Sequence, residues 1–184
     1  KNVTWETALK QNYGIDMHFL GNRLKLAVDY FRENRKDIII NRKTVPLISG
    51  LTADIMPAVN MGKVKNQGYE IEVKWDDKIG EWGYNINANM SYSKNKIVFQ
   101  DEVEPNEPYM WATGRPVGSI IGYVADGFYQ ETDFDEQGNL LPGYANPNVA
   151  VKPGDVKYRD LNNDNVIDSD DQTMIGHSNR PAYT

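Results

Sequence analysis

The chain has 184 residues, a formal net charge of -6 and a sequence pI near 5.0. This acidic balance, with scattered Lys and Arg, argues against a nucleic-acid-binding protein, since phosphate contacts require a basic face. The absence of cysteine excludes disulfides and thiolate chemistry.

Hydrophobic residues make up 40% of the chain, aromatic residues make up 11%, and the mean hydropathy is -0.63. The many Tyr, Trp and Asn residues favour strands and turns over helices. No apolar run approaches the roughly 18 residues that indicate a membrane helix. The low hydropathy does not exclude a membrane β-barrel, because the strands of such a barrel alternate apolar and polar residues.

Two pairs of segments alternate apolar and polar residues with a period of two, which predicts two β-hairpins. The first pair flanks a turn at Gly21 and Asn22, and the second flanks a connection that contains Gly80. We predict strand pairs at about 9–31 and 68–93, with long loops at about 32–67 and 94–184. Short strands within the loops are expected at 38–40 and 118–129.

The alternation also predicts the two faces of the sheet, and a shift by one residue would reverse a whole strand. Periodicity alone fits both a half-exposed soluble sheet and a membrane barrel. The alternation of short and long connections matches a barrel. The apolar face should hold Ile15, Met17, Leu26, Val28, Ile71, Val73, Ile86 and Met90, and the polar face Asp16, Asp29, Glu70, Glu72, Asn85 and Asn87.

An acidic segment at residues 160–171 has the oxygen spacing of a calcium loop. It departs from the usual pattern at the sixth position, Asn165 in place of Gly, and at the last, Asp171 in place of Glu. No long amphipathic helix flanks it, so any metal would have a structural role. A turn-rich loop without metal is the alternative. The predicted calcium ligands are Asp160, Asn162, Asp164, the carbonyl of Val166, Asp168 and Asp171.

Other residues give weaker indications of chemistry. Glu70 and Glu72 alternate along one strand, as in a water-facing surface, so a glycosidase pair is not expected. His18 and His177 have no metal or triad spacing. We therefore predict that the chain is not an enzyme. Trp111, in a loop, is the candidate for a contact with a ligand.

Five segments, in order along nearly the whole chain, resemble the SusC/RagA type of TonB-dependent outer-membrane transporter. They are TWET at 4–7 with NYGID at 12–16, NRL at 22–24 with VDYF at 28–31 and DII at 37–39, NMG at 60–62 with VKNQGYE at 64–70, GY at 122–123 with DGFY at 126–129, and PGD at 153–155 with the acidic segment 160–171.

The resemblance implies an all-β fragment whose antiparallel hairpins belong to a large transmembrane β-barrel with long irregular extracellular loops. The expected place is the bacterial outer membrane, in contact with its lipids. The implied function is import of glycans or oligopeptides, with TonB and a SusD-like surface lipoprotein as partners. The signal peptide, plug and TonB-contacting segment are expected to lie outside this chain. The alternative is a soluble, calcium-stabilised carbohydrate-binding module.

Overall fold

The computed structural model describes residues 3–44, 56–177 and 183. Throughout these residues the regular structure consists of antiparallel strands and three-residue 3-10 helices. No helix in the described ranges is long and apolar enough to cross a membrane. The chain divides into two compact units, one of residues 1–103, 112–117 and 180–184 and one of residues 104–111 and 118–179.

A four-stranded antiparallel sheet dominates the first unit, with its strands in sequence order. The strands are β1 (Thr7–Phe19), β2 (Leu24–Ile40), β3 (Val59–Ile79) and β4 (Trp82–Phe99). Leu20, Gly21 and Asn22 turn from β1 into β2 with φ of 54°, 64° and 69°. This left-handed region favours Gly and Asn, which explains why the turn signal lies there.

The strands are longer than the alternation predicted. β2 continues to Ile40, β3 begins at Val59 and β4 continues to Phe99, so parts of the predicted loops 32–67 and 94–184 belong to the sheet. Beyond Tyr30 and Tyr69 both faces of these strands are largely polar. Without a contrast between two faces, the sequence gives no period that distinguishes a strand from a loop.

The register confirms the predicted faces, because partners directly opposite each other project from the same side of a sheet. No register shift interrupts the ladders between Phe19 and Tyr13 or between Trp75 and Tyr69. Apolar rows are Ile15–Val28–Ile71–Met90, Met17–Leu26–Val73–Ala88 and Phe19–Leu24–Trp75–Ile86. Polar rows are Gly14–Asp29–Glu70–Ser91, Asp16–Ala27–Glu72–Asn89 and His18–Lys25–Lys74–Asn87, with Asp76 opposite Asn85.

The chain also returns to this sheet near its last residue. Tyr183 forms an antiparallel bridge with Tyr92 on β4. The centroids of the two rings lie 4.9 Å apart.

The second unit contains two small sheets built from short strands. These are β5 (Ile120–Tyr123) with β8 (Gln172–Gly176), and β6 (Ala125–Phe128) with β7 (Val156–Tyr158). The strands β5 and β6 confirm the expectation for 118–129. The 3-10 helices Pro108–Met110, Glu131–Asp133 and Ser169–Asp171 connect them.

Buried side chains are few and lie in the second unit. Among the described residues, Tyr129 and Ile167 are the buried hydrophobic side chains, and Asp133 and Asp171 are the buried charged ones. The rings of Phe134 and Tyr144 meet the ring of Tyr129 edge-on, with centroids 5.9 and 6.3 Å away. A small aromatic cluster therefore orders a region that the sequence predicted only as loop.

Candidate functional site

The apolar face of the sheet begins at a row of tyrosines. Tyr13, Tyr30, Tyr69 and Tyr92 are direct partners across all four strands. The rings of Tyr69 and Tyr92 are 5.4 Å apart. Side chains on this face remain exposed, as Ile15 at 56% and Ile86 at 59% illustrate. Apolar surface of this extent requires an apolar environment.

A second aromatic boundary lies at the opposite end of the same face. Ile79 and Trp82 pair beside the β3–β4 turn, and Trp82 is 82% exposed. Ile79 lies ten positions after Tyr69 on β3, which at about 3.3 Å per residue and a tilt of roughly 40° corresponds to about 25 Å. This is the height of the apolar band on an outer-membrane barrel, which aromatic residues border on both sides.

The opposite face is polar and carries its own ion pairs. Lys74 contacts Glu72 at 2.7 Å, and Lys25 contacts Asp76 at 3.6 Å. Asp29 and Glu70 are direct partners across β2 and β3. The carboxylates predicted to lie along a water-facing surface thus lie on one polar wall, as expected for the interior of a barrel.

The acidic loop is folded by hydrogen bonds between its side chains and its own backbone. Asp160 accepts from the N–H groups of Asn163 and Asn165 at 2.7 and 2.8 Å. Asp164 accepts from the N–H of Val166 at 2.8 Å. Asn163 and Asn165 have φ of 62° and 67°, which is why Asn is acceptable at the position where calcium loops prefer Gly.

Asp171 closes the loop from its last position. Its side chain is fully buried and accepts from the N–H groups of Leu161 at 2.7 Å and Asp168 at 3.0 Å. Asp168 accepts from the N–H of Asp170 at 2.8 Å. Ile167 packs inward, and its N–H donates to Asn146.

The fit of this loop to a cation depends on the donor set. In the part of the chain that the structure describes, no three His, Cys, Asp or Glu side chains group as a metal site. Four of the six predicted ligands, Asp160, Asp164, Asp168 and Asp171, are carboxylates of this kind, and their side chains do not form such a group in this fold. The amide oxygen of Asn162 and the carbonyl of Val166 complete the predicted set. Each carboxylate oxygen has a second lone pair beside the hydrogen bond it accepts. The chemistry of the donors therefore suits calcium, and binding stays a prediction.

The segment before Trp111 is attached to this loop. The hydroxyl of Tyr109 donates to the carbonyl of Asp170 at 2.6 Å, and the amide of Asn106 donates to its carboxylate at 2.8 Å. Trp111 follows the 3-10 helix Pro108–Met110 and is 36% exposed. The acidic loop thus fixes the backbone from which Trp111 projects.

Sequence reasoning missed two carboxylates that order the sheet's long connections. Asp101 accepts from the N–H groups of Lys43 and Thr44 and from the Thr44 hydroxyl. Glu102 accepts from the N–H groups of Ala112 and Thr113, both at 2.9 Å. Burial raises the pKa of Glu102, but the hydroxyl of Thr113, these two N–H groups and the amide of Gln100 together outweigh it, so the pKa is lowered. Partners so distant in sequence leave no local signal.

The sheet register and the loops can now be compared with known proteins. All residues from 1 to 184 match the family described as TonB dependent receptor-like, beta-barrel. The chain belongs to this family. Its apolar face is therefore the lipid-facing wall of a bacterial outer-membrane barrel, and its polar face lines the interior.

Curated relatives agree with this assignment. The chain is 28% identical over 188 residues to TonB-dependent receptor P3 of Formosa agariphila, covering 95% of the chain and 18% of that protein. It is 25% identical over 207 residues to TonB-dependent receptor P39 of the same organism, covering 96% of the chain and 20% of that protein. The chain thus spans about a fifth of the length of these relatives.

Solved structures show the same fold. The RagAB peptide importer in the open-open state superposes with a TM-score of 0.66 and 24% identity, covering 99% of this chain and 18% of that one. The closed-closed state gives 0.61 and 22%, covering 100% and 19%. The predicted all-β, outer-membrane architecture is confirmed. Since four strands cannot close a barrel of this kind, the described sheet is one sector of its wall.

Proposed function

We propose that this chain forms part of the wall and extracellular loops of a transporter that imports glycans or oligopeptides across the outer membrane. The observation that carries the proposal is the match to the receptor family over every residue. The sheet register supports it, because a lipid-facing apolar face backs a polar interior wall. The same exposed apolar face argues against a soluble carbohydrate-binding module. Catalysis is not part of the proposed function.

TonB and a SusD-like surface lipoprotein are the proposed partners of the whole receptor. Membership of the TonB-dependent family supports the first. The similarity to structures of the RagAB peptide importer supports the second, and it favours oligopeptides within the proposed substrate class.

Uptake by cells that carry the intact receptor tests this function. Labelled oligopeptides and labelled oligosaccharides are supplied separately to cells with the receptor, without it, and with it in a TonB-deficient background. The proposal expects saturable uptake of one class that requires both the receptor and TonB. Uptake that is unchanged when the receptor is removed, for both classes, contradicts it.

We also propose that calcium binds the acidic loop and stabilises it. Carboxylates crowd this segment, and Lys157 and Arg159 are its cationic neighbours in sequence. Like charges held close together repel, so a divalent cation would lower the free energy of the ordered loop. Numerous and flexible oxygen ligands favour calcium over magnesium, with expected distances of roughly 2.3 to 2.6 Å.

A further inference from the structure

The lipid-facing side of the sheet changes from aromatic to basic immediately beyond the tyrosine row. The next row on that face is Gln11–Arg32–Gln67–Lys94, and the row after it is Leu9–Asn34–Lys65–Lys96. Lys36, opposite Thr7, continues the series. None of these positions holds a carboxylate. We call Arg32, Lys36, Lys65, Lys94 and Lys96 the basic band.

The charges of the basic band are available to an outside partner. None of its side chains forms an ion pair with another described residue. Arg32, Lys36, Lys94 and Lys96 are exposed, and Lys65 is half-buried. At the same level the interior face balances its charges. There Lys10 is the direct partner of Glu33, and Arg35 contacts both Glu33 at 2.6 Å and Glu6 at 2.7 Å. The excess of positive charge is therefore confined to the outward face.

The position of the band relative to the membrane identifies the partner. Each row lies about 7 Å further along the strands than the one before it, at about 3.3 Å per residue. The band thus begins just outside the aromatic boundary, at the height of lipid headgroups. It lies at the end of the sheet that carries the long connections, which in outer-membrane barrels is the extracellular end. Long Lys and Arg side chains reach easily into a headgroup layer.

We propose that the basic band binds the phosphate groups of lipids in the outer leaflet. Phosphate is the anion that a row of guanidinium and ammonium groups at this height would meet, and it pairs with both through charge-assisted hydrogen bonds. The bound lipids would form an anionic collar beside these four strands. This interaction is separate from transport, because the band faces away from the barrel interior.

Lipid retention by the purified intact receptor tests the proposal. The test variant is Arg32→Gln, Lys94→Gln and Lys96→Gln, and the matched control is Lys10→Gln, Lys25→Gln and Lys74→Gln, which removes the same charge from the interior face of the same sheet. The probes are diphosphorylated lipid A and its fully dephosphorylated form, each added in neutral detergent and measured by native mass spectrometry. The expected result is a loss of about tenfold in phosphorylated lipid bound by the test variant, with little change for the control.

Three outcomes overturn the proposal. They are equal retention by wild type and test variant, equal losses in test and control variants, and equal binding of the two lipids. If inorganic phosphate alone displaces the bound lipid at low concentration, the basic band is a site for free anions instead. Heat-induced mobility shifts in gels establish that each variant is a folded barrel. If the triple variant does not fold, a salt titration of the wild type decides, because a phosphate interaction must weaken steeply as salt is raised.

Discussion

The ring of Phe31 on β2 lies over Gly68, its direct partner on β3. A Cβ added at Gly68 would be 2.6 Å from Cζ of that ring and 2.1 Å from the carbonyl oxygen of Tyr92. Because the second neighbour is backbone, the sheet itself would have to shift. The pair places an aromatic ring on the interior wall in contact with bare main chain.

Gly68→Ala should therefore destabilise the barrel by about 1 to 3 kcal/mol, the usual range for overpacking. Urea unfolding of the intact receptor in detergent measures it. Gly83→Ala is the control, since a Cβ there would meet only Cγ of Lys78, at 4.0 Å. Equal unfolding midpoints for the two variants would show that the Phe31–Gly68 contact is not tight in solution.

Two neighbouring residues on β4 should differ in how well they tolerate an introduced arginine. Ala88 faces lipid near the middle of the apolar band, and Asn89 faces the interior opposite Glu72. Ala88→Arg is expected to cost about 2 to 4 kcal/mol. Asn89→Arg should be close to neutral, because it meets water and a carboxylate. The yield of folded receptor in outer membranes, with urea unfolding of what assembles, compares them. A larger loss for Asn89→Arg would mean that the faces are reversed.

The aromatic cluster of the second unit should loosen in acid. The N–H of Gln130 and the hydroxyl of Tyr144 hold the pKa of Asp133 below its ordinary value of 3.8. Because the pKa of Asp133 is lower in the folded chain, its ionised carboxylate stabilises the fold at pH values above its pKa in the unfolded chain. This contribution disappears as the pH falls through the pKa of the folded state. Hydrogen exchange at Gln130 should thus lose protection below about pH 4. Asp133→Asn should remove this pH dependence, whereas Asp135→Asn should retain it.

Calcium binding by the acidic loop should depend on its first and fifth positions. Calorimetry of the intact receptor is expected to show binding heat that Asp160→Ala with Asp164→Ala abolishes, because two carboxylate ligands are lost. Asp133→Ala with Asp135→Ala removes the same charge from another acidic turn of the unit and should leave the heat unchanged. Equal heats from wild type and the loop variant would identify the segment as a polar turn without metal.

Trp111 should contribute to ligand capture. Its ring is 36% exposed and projects from a backbone that Tyr109 and Asn106 tie to Asp170. An aromatic contact worth more than about 1 kcal/mol corresponds to a fivefold or greater loss of affinity in Trp111→Ala. The uptake half-saturation concentration measures it, with Trp82→Ala beside the β3–β4 turn as control. Equal values for both variants would leave Trp111 without this role.

Local period explains which parts of the fold were predictable. Between Tyr69 and Trp75 every second side chain faces lipid, so the faces follow from sequence. Around Lys65 and Lys96 no such constraint exists, because both faces carry polar side chains, and the strands there were missed. A strand shows a period-two alternation only where its two faces meet different environments, and shows none where the environments are alike.

The acidic loop shows a different limit. Its ligand spacing is contiguous, so residues 160–171 could be selected from sequence alone. The attachment of Tyr109 to Asp170 spans 61 positions, and the contact of Asp101 with Thr44 spans 57. Single polar contacts at such separations follow only from the folded chain. The same holds for the basic band, which becomes visible when Arg32 and Lys94 are aligned through the register.

The bridge between Tyr92 and Tyr183 makes residues 118–177 a topological insertion. The chain leaves β4 at one end and later pairs with that same strand again. The bridge, and not the length of the inserted stretch, therefore determines where the next part of the wall begins. Natural variation can lengthen, shorten or replace this stretch without moving any strand past its neighbour. Exchanging residues 118–177 between related receptors would replace loop structure while preserving the wall, which makes them a natural unit for chimaeras.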